Sequence, residues 1–169
     1  MRANRYPWPR EQALALLAAA DSAHFALLDD DAPLLRTLHT VVDEGALCFH
    51  AGPAGAKLRG LGRPAVAAVE RVLAVVPSYA FDPERACPAT TWYQSVQVRG
   101  LLERVEDPQR KARVLQALME RLQPEGGHVP VVADHPLYAK AIAGIEVLAL
   151  PFTEVEGRAK LGQNRSDDQ

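Results

Sequence analysis

Long apolar stretches alternate along the chain with short clusters rich in Asp, Gly and Pro, and this alternation predicts the first helix and the strands that follow it. Residues 10–20 are rich in Ala and Leu and follow Pro9, which predicts a helix because proline suits the first helical turn. Three apolar segments separated by acidic turns come next. They predict a meander of strands at residues 24–28, 34–42 and 46–50.

The middle of the chain predicts longer strands. A short basic helix at residues 56–61 precedes Pro64–Val76, which is almost entirely Ala and Val. Such continuous apolarity predicts a strand covered on both faces, as in a barrel or a dimer interface. After a Pro-rich loop at 77–91, residues 92–105 alternate apolar and polar side chains and predict a half-buried strand.

The last third predicts two helices and a final strand. An Asp-Pro pair starts the segment that ends at residue 122, and its apolar positions fall on one helical face. A short helix at 136–143 and a strand at 144–155 precede a polar end at 157–169. Six strands with helices around them predict an α+β fold, a small six-stranded antiparallel β-barrel.

Composition narrows the class of protein. The 169 residues, of which 48% are hydrophobic and 24% charged, predict a single globular domain over 1–169 with a core of its own. The net charge of −2 gives no electrostatic case for binding nucleic acid or an anionic membrane. No apolar run is long enough to span a bilayer. Cys48 and Cys87 lack CxxC spacing, which predicts free thiols in a reducing, cytoplasmic compartment.

Residues 47–61 are the first candidate for chemistry. An apolar strand ends there in a turn of small residues that leads into a basic helix start. Small residues let a ligand approach the backbone, and Lys57 adds a positive charge where helix N–H groups point outward. This arrangement is typical of a site for an anion, most simply a phosphate. It is equally typical of a tight strand-to-helix turn with a solvated Lys, and the residues alone leave both interpretations open.

Other chemistry has little support. The five histidines lack metal-ligand spacing, so no metal site is predicted, and the chain has no nucleophile elbow, Walker A or dinucleotide motif. Cations and hydroxyl groups suited to a dianionic phosphate are Arg36, Thr37, Lys57, Tyr93, Ser95 and Arg99. Alternatively, Arg36 and Arg99 pair with Glu44 or Glu103 across strands.

Four short motifs follow one another along the chain. They are Arg-Thr-Leu-His at 36–39, Phe-His-Ala-Gly-Pro-Ala-Gly-Ala-Lys-Leu at 49–58, Tyr-Gln-Ser-Val-Gln-Val-Arg-Gly at 93–100 and Gly-Arg-Ala-Lys-Leu-Gly-Gln-Asn-Arg at 157–165. Their order and spacing resemble the FMN-binding split-barrel superfamily, the pyridoxamine 5′-phosphate oxidase-like proteins. The second motif resembles the nitroimidazole-resistance-like branch. The last motif is similar to the tail of flavin-binding proteins described as negative transcriptional regulators.

The resemblance implies a split barrel that forms a homodimer with two FMN sites at the interface. In such a site Arg36 and Lys57 would hold the FMN phosphate and Ser95 would donate a hydroxyl. Residues implied to lie along the isoalloxazine and ribityl groups are Thr37, Leu38, His39, Phe49 and His50. Further implied cofactor contacts are Ala56, Tyr93 and Gln94, with Lys160, Gln163 and Arg165 as candidates from the second subunit.

Two departures from the family argue against vitamin B6 oxidation. Val41 stands where true pyridoxamine phosphate oxidases carry a Lys that contacts the substrate phosphate. The tail reads Gln163-Asn164-Arg165 and lacks their Arg-x-His substrate element. We therefore expect an FMN-dependent oxidoreductase that uses NAD(P)H or a similar reductant on a small-molecule acceptor, with His50 as the candidate catalytic residue.

Two other functions remain open at this stage. The regulator-like tail is also consistent with a flavin-binding sensor that catalyses nothing, although no basic helix or helix-turn-helix suggests DNA binding. Haem binding on the same barrel, with His50 or His39 as the axial ligand, is the least favoured alternative.

Overall fold

Two antiparallel sheets and three α-helices make up residues 6–30 and 32–163, the part of the chain that the computed structural model describes. The helices are α1 (Arg10–Ala19), α2 (Pro108–Leu122) and α3 (Ala139–Gly144). The strands are β1 (Ser22–Asp29), β2 (Ala32–His39), β3 (Val41–Asp43), β4 (Ala46–Ala51), β5 (Pro64–Val76), β6 (Thr90–Leu101), β7 (Glu103–Arg104), β8 (Glu146–Pro151) and β9 (Glu154–Lys160). Two 3₁₀ helices lie at Ala56–Gly60 and Ser78–Ala80.

The strands form a five-stranded sheet in the order β2–β1–β5–β6–β9 and a four-stranded sheet in the order β3–β4–β8–β7. The chain crosses between the sheets at Thr40, at Leu102 and at residues 152–153, so three strands predicted as continuous are each split in two. The predicted count of six strands is therefore wrong. Thr40 and Leu102 are buried like strand residues, so the apolar pattern continues through these corners.

The described strands form two sheets with free edges rather than one closed barrel. β9 also includes residues 157–160, which the sequence assigned to a polar end. The predicted helices at the start of the chain and at Pro108–Leu122 are confirmed, and the strand Pro64–Val76 has the predicted bounds. The predicted helix at 56–61 is a short 3₁₀ helix, in which the Leu58 N–H donates to the carbonyl of Gly55 at 3.0 Å.

The main core lies between the two sheets. Phe25 of β1 and Phe49 of β4 are fully buried there and meet edge to face, with 4.8 Å between ring centroids. Leu17 of α1 packs against the same core. A second cluster lies under α2, where Val114 and Cys48 are buried together. β4 is therefore covered on both faces, which fixes the position of the strand and of His50 near its end.

A charged cluster ties α2 to the turn between β3 and β4. Asp107 caps the helix by accepting bonds from the backbone N–H groups of Gln109 and Arg110 at 3.1 and 3.0 Å. Arg110 and Arg113 donate to the Asp43 carboxylate at 2.9 and 2.7 Å. Burial alone would raise the pKa of Asp43, but the hydrogen bonds and charges of these arginines outweigh it and lower that pKa. The described residues include no helix long and apolar enough to cross a membrane.

Candidate functional site

Of the predicted site residues, His39 and Lys57 both lie close enough to His50 to lower its pKa, and we call these three residues the cation cluster. They come from the end of β2, the end of β4 and the 3₁₀ helix that follows β4. The pKa of His50 lies below its ordinary value, first because partial burial disfavours its charged form and then because it would be repelled by charge on Lys57 and His39. The fold thus brings together basic side chains from three separate segments.

Arg36 and Lys57 have no carboxylate partner within the described ranges. The Arg36 guanidinium donates only to the carbonyl of Leu35, at 2.8 Å. The alternative pairing of Arg36 with Glu44 is not formed, since Glu44 accepts from Arg113 at 2.5 Å. Both cations therefore remain available to an anionic ligand.

Lys57 has a natural comparison in Arg59 of the same 3₁₀ helix. Arg59 donates to the Asp29 carboxylate at 2.7 Å, whereas Lys57 is half-buried without a hydrogen bond to any described residue. Two cations two residues apart therefore differ in their surroundings. The charge of Arg59 is neutralised by Asp29, whereas the charge of Lys57 has no such partner among the described residues.

β2 carries both backbone and side-chain groups that a ligand could contact. It is the outermost strand of its sheet, so its outward backbone groups have no ladder partner in the part of the chain that is described. The Thr37 hydroxyl and His24 Nδ1 are hydrogen-bonded at 2.9 Å. His39 Nδ1 donates to the carbonyl of Asp21 at 3.3 Å, because a carbonyl can only accept. Leu38 is half-buried against the core. The outward-facing backbone groups of residues 37–39 are thus unpaired within the described part of the chain, and the others pair with β1.

Sequence reasoning missed His24, which holds the Thr37 side chain. The two residues are direct partners in the β1–β2 register. A lone histidine in a strand carries no signal of this pairing, and only the register of the hairpin could have revealed it. His24 is thus a candidate for positioning Thr37.

Two further predicted residues, Phe49 and Ala56, differ in how deeply they are buried. Phe49 is fully buried and meets Phe25 edge to face, so its side chain lies within the core. Ala56 is half-buried at the start of the 3₁₀ helix. A small side chain at Ala56 leaves room above the turn.

The other predicted residues lie on β6, β9 and the following turn. Tyr93 and Ser95 line a shallow groove of about 380 Å³ on the outer face of the five-stranded sheet, beside Glu70. The Gln94 side chain accepts from Arg71 at 2.6 Å. The groove therefore offers hydroxyl groups, while Gln94 is already engaged.

Two of the predicted tail residues, Lys160 and Gln163, form hydrogen bonds to nearby residues of the same chain. Lys160 Nζ donates to the Thr90 hydroxyl and lies 5.9 Å from the centroid of the Tyr6 ring. Gln163 donates to the carbonyl of Ala159 at 2.5 Å and accepts from the N–H of Leu161 at 2.6 Å. Arg165 lies outside the described residues.

The two groups of predicted residues are far apart within one chain. β1 and β5 lie between β2 and β6 in the sheet. Strands in a sheet are about 4.8 Å apart, so β2 and β6 are separated by roughly 14 Å. Within one chain, Ser95 on β6 therefore lies too far from Arg36 on β2 to share a phosphate with it.

An apolar patch, formed by Val72, Leu73, Val75 and Tyr79, lies exposed at the far end of β5 and in the 3₁₀ helix after it. Val75 is 77% exposed and Tyr79 is 76% exposed. Only the first half of β5 contributes buried side chains, such as Ala67 and Val69. The expectation that the whole strand is covered on both faces is thus wrong within one chain, and a large apolar surface remains uncovered.

Comparison with known proteins gives a family match and several structural neighbours. The family model described as "Pyridoxamine 5′-phosphate oxidase" matches residues 9–159. No curated protein matches the chain. Many solved structures do match it.

The flavocytochrome Anf3 from Azotobacter vinelandii is 21% identical, with a TM-score of 0.75 over 92% of this chain and 69% of that chain. The FAD and haem binding protein from Mycobacterium smegmatis is 23% identical, with a TM-score of 0.74 over 91% of this chain and 72% of that chain. A putative 5-nitroimidazole antibiotic resistance protein from Bacteroides thetaiotaomicron is 18% identical, with a TM-score of 0.66 over 88% and 82%. At these identities the structures share the fold of this chain.

Proposed function

Because the chain belongs to the pyridoxamine 5′-phosphate oxidase family, we propose that it binds FMN and acts as a flavin-dependent oxidoreductase on a small molecule. The observation that carries this proposal is the presence of two unneutralised cations, Arg36 on the free edge strand β2 and Lys57 in the cation cluster. A phosphate ester needs fixed positive charge, and a planar ring system needs an open strand edge against which to lie.

The residues present fit the flavin. In this proposal Arg36 and Lys57 would hold the phosphate, and the outward backbone groups of residues 37–39 would hydrogen-bond the ring system. His50 has a lowered pKa, so its imidazole is mainly neutral at pH 7 and can donate, accept or move a proton. When bound, the flavin supplies reversible hydride or electron transfer, and the protein supplies orientation and electrostatics.

We propose that a second copy of the chain completes each site. The separation of β2 from β6 leaves one chain with two incomplete halves, and the apolar patch on β5 needs a cover. A symmetric dimer would bring the β6 groove of one copy, with Tyr93 and Ser95, to the cation cluster of the other. Lys160 and Gln163 lie on the β6 side and would approach the same site.

The names of the structural neighbours support a flavin in this fold. One is described as a flavocytochrome and another as an FAD and haem binding protein. FAD shares the isoalloxazine and one phosphate with FMN, so the same cations suit both. Identification of the cofactor released from the purified protein distinguishes the two.

The experiment that tests the proposal is a visible spectrum of the purified protein, followed by anaerobic addition of NADH or NADPH. We expect flavin bands that bleach when the reductant is added. Flavin bands that neither nicotinamide bleaches would favour the sensor, and a Soret band would point to haem. A colourless protein that cannot be reconstituted with FMN or FAD would refute flavin binding.

A further inference from the structure

The carboxyl end of α1 is held by an arginine from another helix. A helix leaves its last carbonyl groups without partners of their own, and a cation near that end is stabilising. The last turn of α1 contains no basic residue. Arg121 of α2 supplies one, since its guanidinium donates to the carbonyls of Ala18 and Ala20. α2 therefore fixes the backbone that leads from α1 into β1.

Arg121 is held there by the backbone rather than by a carboxylate. Asp21 Oδ1 lies 4.0 Å from the guanidinium, and the Asp21 side chain is 86% exposed, so this ion pair contributes little. The Arg121 side chain is itself only 26% exposed. Its two hydrogen bonds to α1 are therefore its main polar contacts, and they order the short link between α1 and β1.

This link holds His39. The carbonyl of Asp21 accepts from the backbone N–H of Thr40 at 3.2 Å and from His39 Nδ1 at 3.3 Å. Thr40 is buried, so the Asp21 carbonyl is anchored to the corner between the two sheets. Ser22, the next residue along the link, is opposite His39 in the β1–β2 register. The imidazole is thus attached to backbone that Arg121 helps to fix.

The bond to Asp21 determines which nitrogen of a neutral His39 carries the proton. A carbonyl can only accept, so the proton lies on Nδ1, and Nε2 keeps its lone pair. A neutral imidazole free in water carries its proton mainly on Nε2, so the protein stabilises the less common form. His39 is exposed and lines a cavity of about 190 Å³ beside Arg121, so a ligand can reach the ring.

We infer that Arg121 is a positioning residue: through the carboxyl end of α1 it holds His39 with Nδ1 protonated, and His39 then offers Nε2 as an acceptor to an N–H or O–H group of a ligand. The predicted phosphate contacts, Arg36 and Lys57, can only donate, so His39 adds the acceptor that they lack. This role rests on the proposed function, in which the ligand is a flavin that carries an imide N–H and ribityl hydroxyls.

The test in the free protein is nitrogen NMR of the histidine side chains at about pH 8, where an ordinary imidazole is neutral. Protonated and unprotonated ring nitrogens give well separated signals, and those of His39 are identified by their absence from His39→Asn. We expect a proton on Nδ1 of His39 in the unaltered protein, and mainly on Nε2 in Arg121→Met. A proton on Nε2 in the unaltered protein, or no change in Arg121→Met, would overturn the inference.

Three further variants separate this effect from a general loss of structure. Arg121→Lys retains a donor for the α1 carbonyls and should keep the proton on Nδ1. Arg113→Met is the matched control on the same helix, because Arg113 donates to Asp43 rather than to α1, and it should leave His39 unchanged. Backbone amide spectra show whether each variant is folded. If Arg121→Met is not, Arg121→Gln, which has fewer donors, replaces it with the same expectation.

FMN binding tests whether Arg121 acts through His39. Arg121→Met should weaken FMN binding about three- to tenfold, the effect of one net hydrogen bond. The same substitution in a His39→Ala background should cause no further loss. Equal losses in both backgrounds would contradict a role through His39. A protein that binds no flavin would refute the proposed function, whereas the position of the His39 proton is decided in the free protein.

Discussion

Thr37 and Ser95 project from the same face of the five-stranded sheet, yet two strands lie between theirs. The register makes this explicit, since Thr37 is opposite His24, His24 is opposite Ala68, and Ala68 is opposite Gln97, two residues beyond Ser95. The resemblance implies that these two motifs contact the same ligand. Within one chain they lie in separate parts of the sheet. Two copies related by a twofold axis reconcile the implied site with this geometry.

The apolar patch provides the first prediction. Val75→Glu places a charge at its most exposed apolar position, and burying that charge in an interface costs more than the interface gains. We expect this variant to sediment as a monomer and to lose most of its affinity for FMN. Leu137→Glu changes another exposed apolar residue, near α3 and 65% exposed against 77% for Val75, and this variant should remain a dimer with unchanged affinity. A Val75→Glu variant that stays dimeric would place the interface elsewhere.

The phosphate contacts provide the second prediction. Lys57→Ala and Arg36→Ala should each weaken FMN binding by about 1.5–3 kcal/mol, the contribution of a hydrogen bond to a charged group. Quenching of flavin fluorescence measures the affinity. Arg59→Ala is the matched control, because Arg59 is already paired with Asp29, and it should have little effect. Equal losses in all three variants would indicate a general effect of positive charge.

The pH dependence of binding follows from His50. In the free protein its pKa lies below the ordinary 6.5, and a bound phosphate adds negative charge that raises it. Binding then takes up a proton between the two pKa values, so the affinity for FMN should increase as the pH falls through that window, around and below 6.5. Titrations at several pH values measure this increase.

His50→Gln is the control for that prediction. It removes the titrating imidazole and retains the protonation of the phosphate itself. The difference between the two profiles therefore belongs to His50. Identical profiles would show that the phosphate does not approach this residue. In the free protein the unfolded state binds the proton more readily, so the contribution of His50 to stability rises with pH through the same window.

Gly100 provides a test of the fold. A Cβ atom there would lie 2.3 Å from the carbonyl oxygen of Pro151, where the two sheets meet. We expect Gly100→Ala to lower the free energy of unfolding by about 1–3 kcal/mol, as overpacking does. Gly52→Ala, where nothing lies within 4 Å, should be nearly neutral. Chemical denaturation compares the two, and equal stabilities would show that the sheets separate readily at this corner.

Much of the fold could be predicted from local sequence. The helix start at Asp107 and the bounds of β5 follow from capping and apolar runs, and the family resemblance drawn from four motifs is confirmed by the match over residues 9–159. The corners at Thr40 and Leu102 could not be predicted, because a buried residue looks the same whether the strand continues or changes sheet. The number of strands was wrong for this reason.

Candidate site residues could be named from the sequence, but their arrangement could not. The turn of small residues before Lys57 is a signal in the sequence, and the fold places Lys57 near enough to His50 to lower the pKa of that histidine. The burial of Phe49 and the distance of Ser95 from β2 depend on strand order, which short motifs do not encode. The homodimer and the role of His50 remain predictions.

The most direct test of a site shared between two copies is subunit complementation. One chain carries Arg36→Ala and Lys57→Ala, the other carries Tyr93→Ala and Ser95→Ala, and each alone should bind FMN weakly. After coexpression in equal amounts, about a quarter of all sites should regain the affinity of the unaltered protein, because each mixed dimer contains one intact site. If no tight sites appear although mixed dimers form, the two halves do not share a flavin.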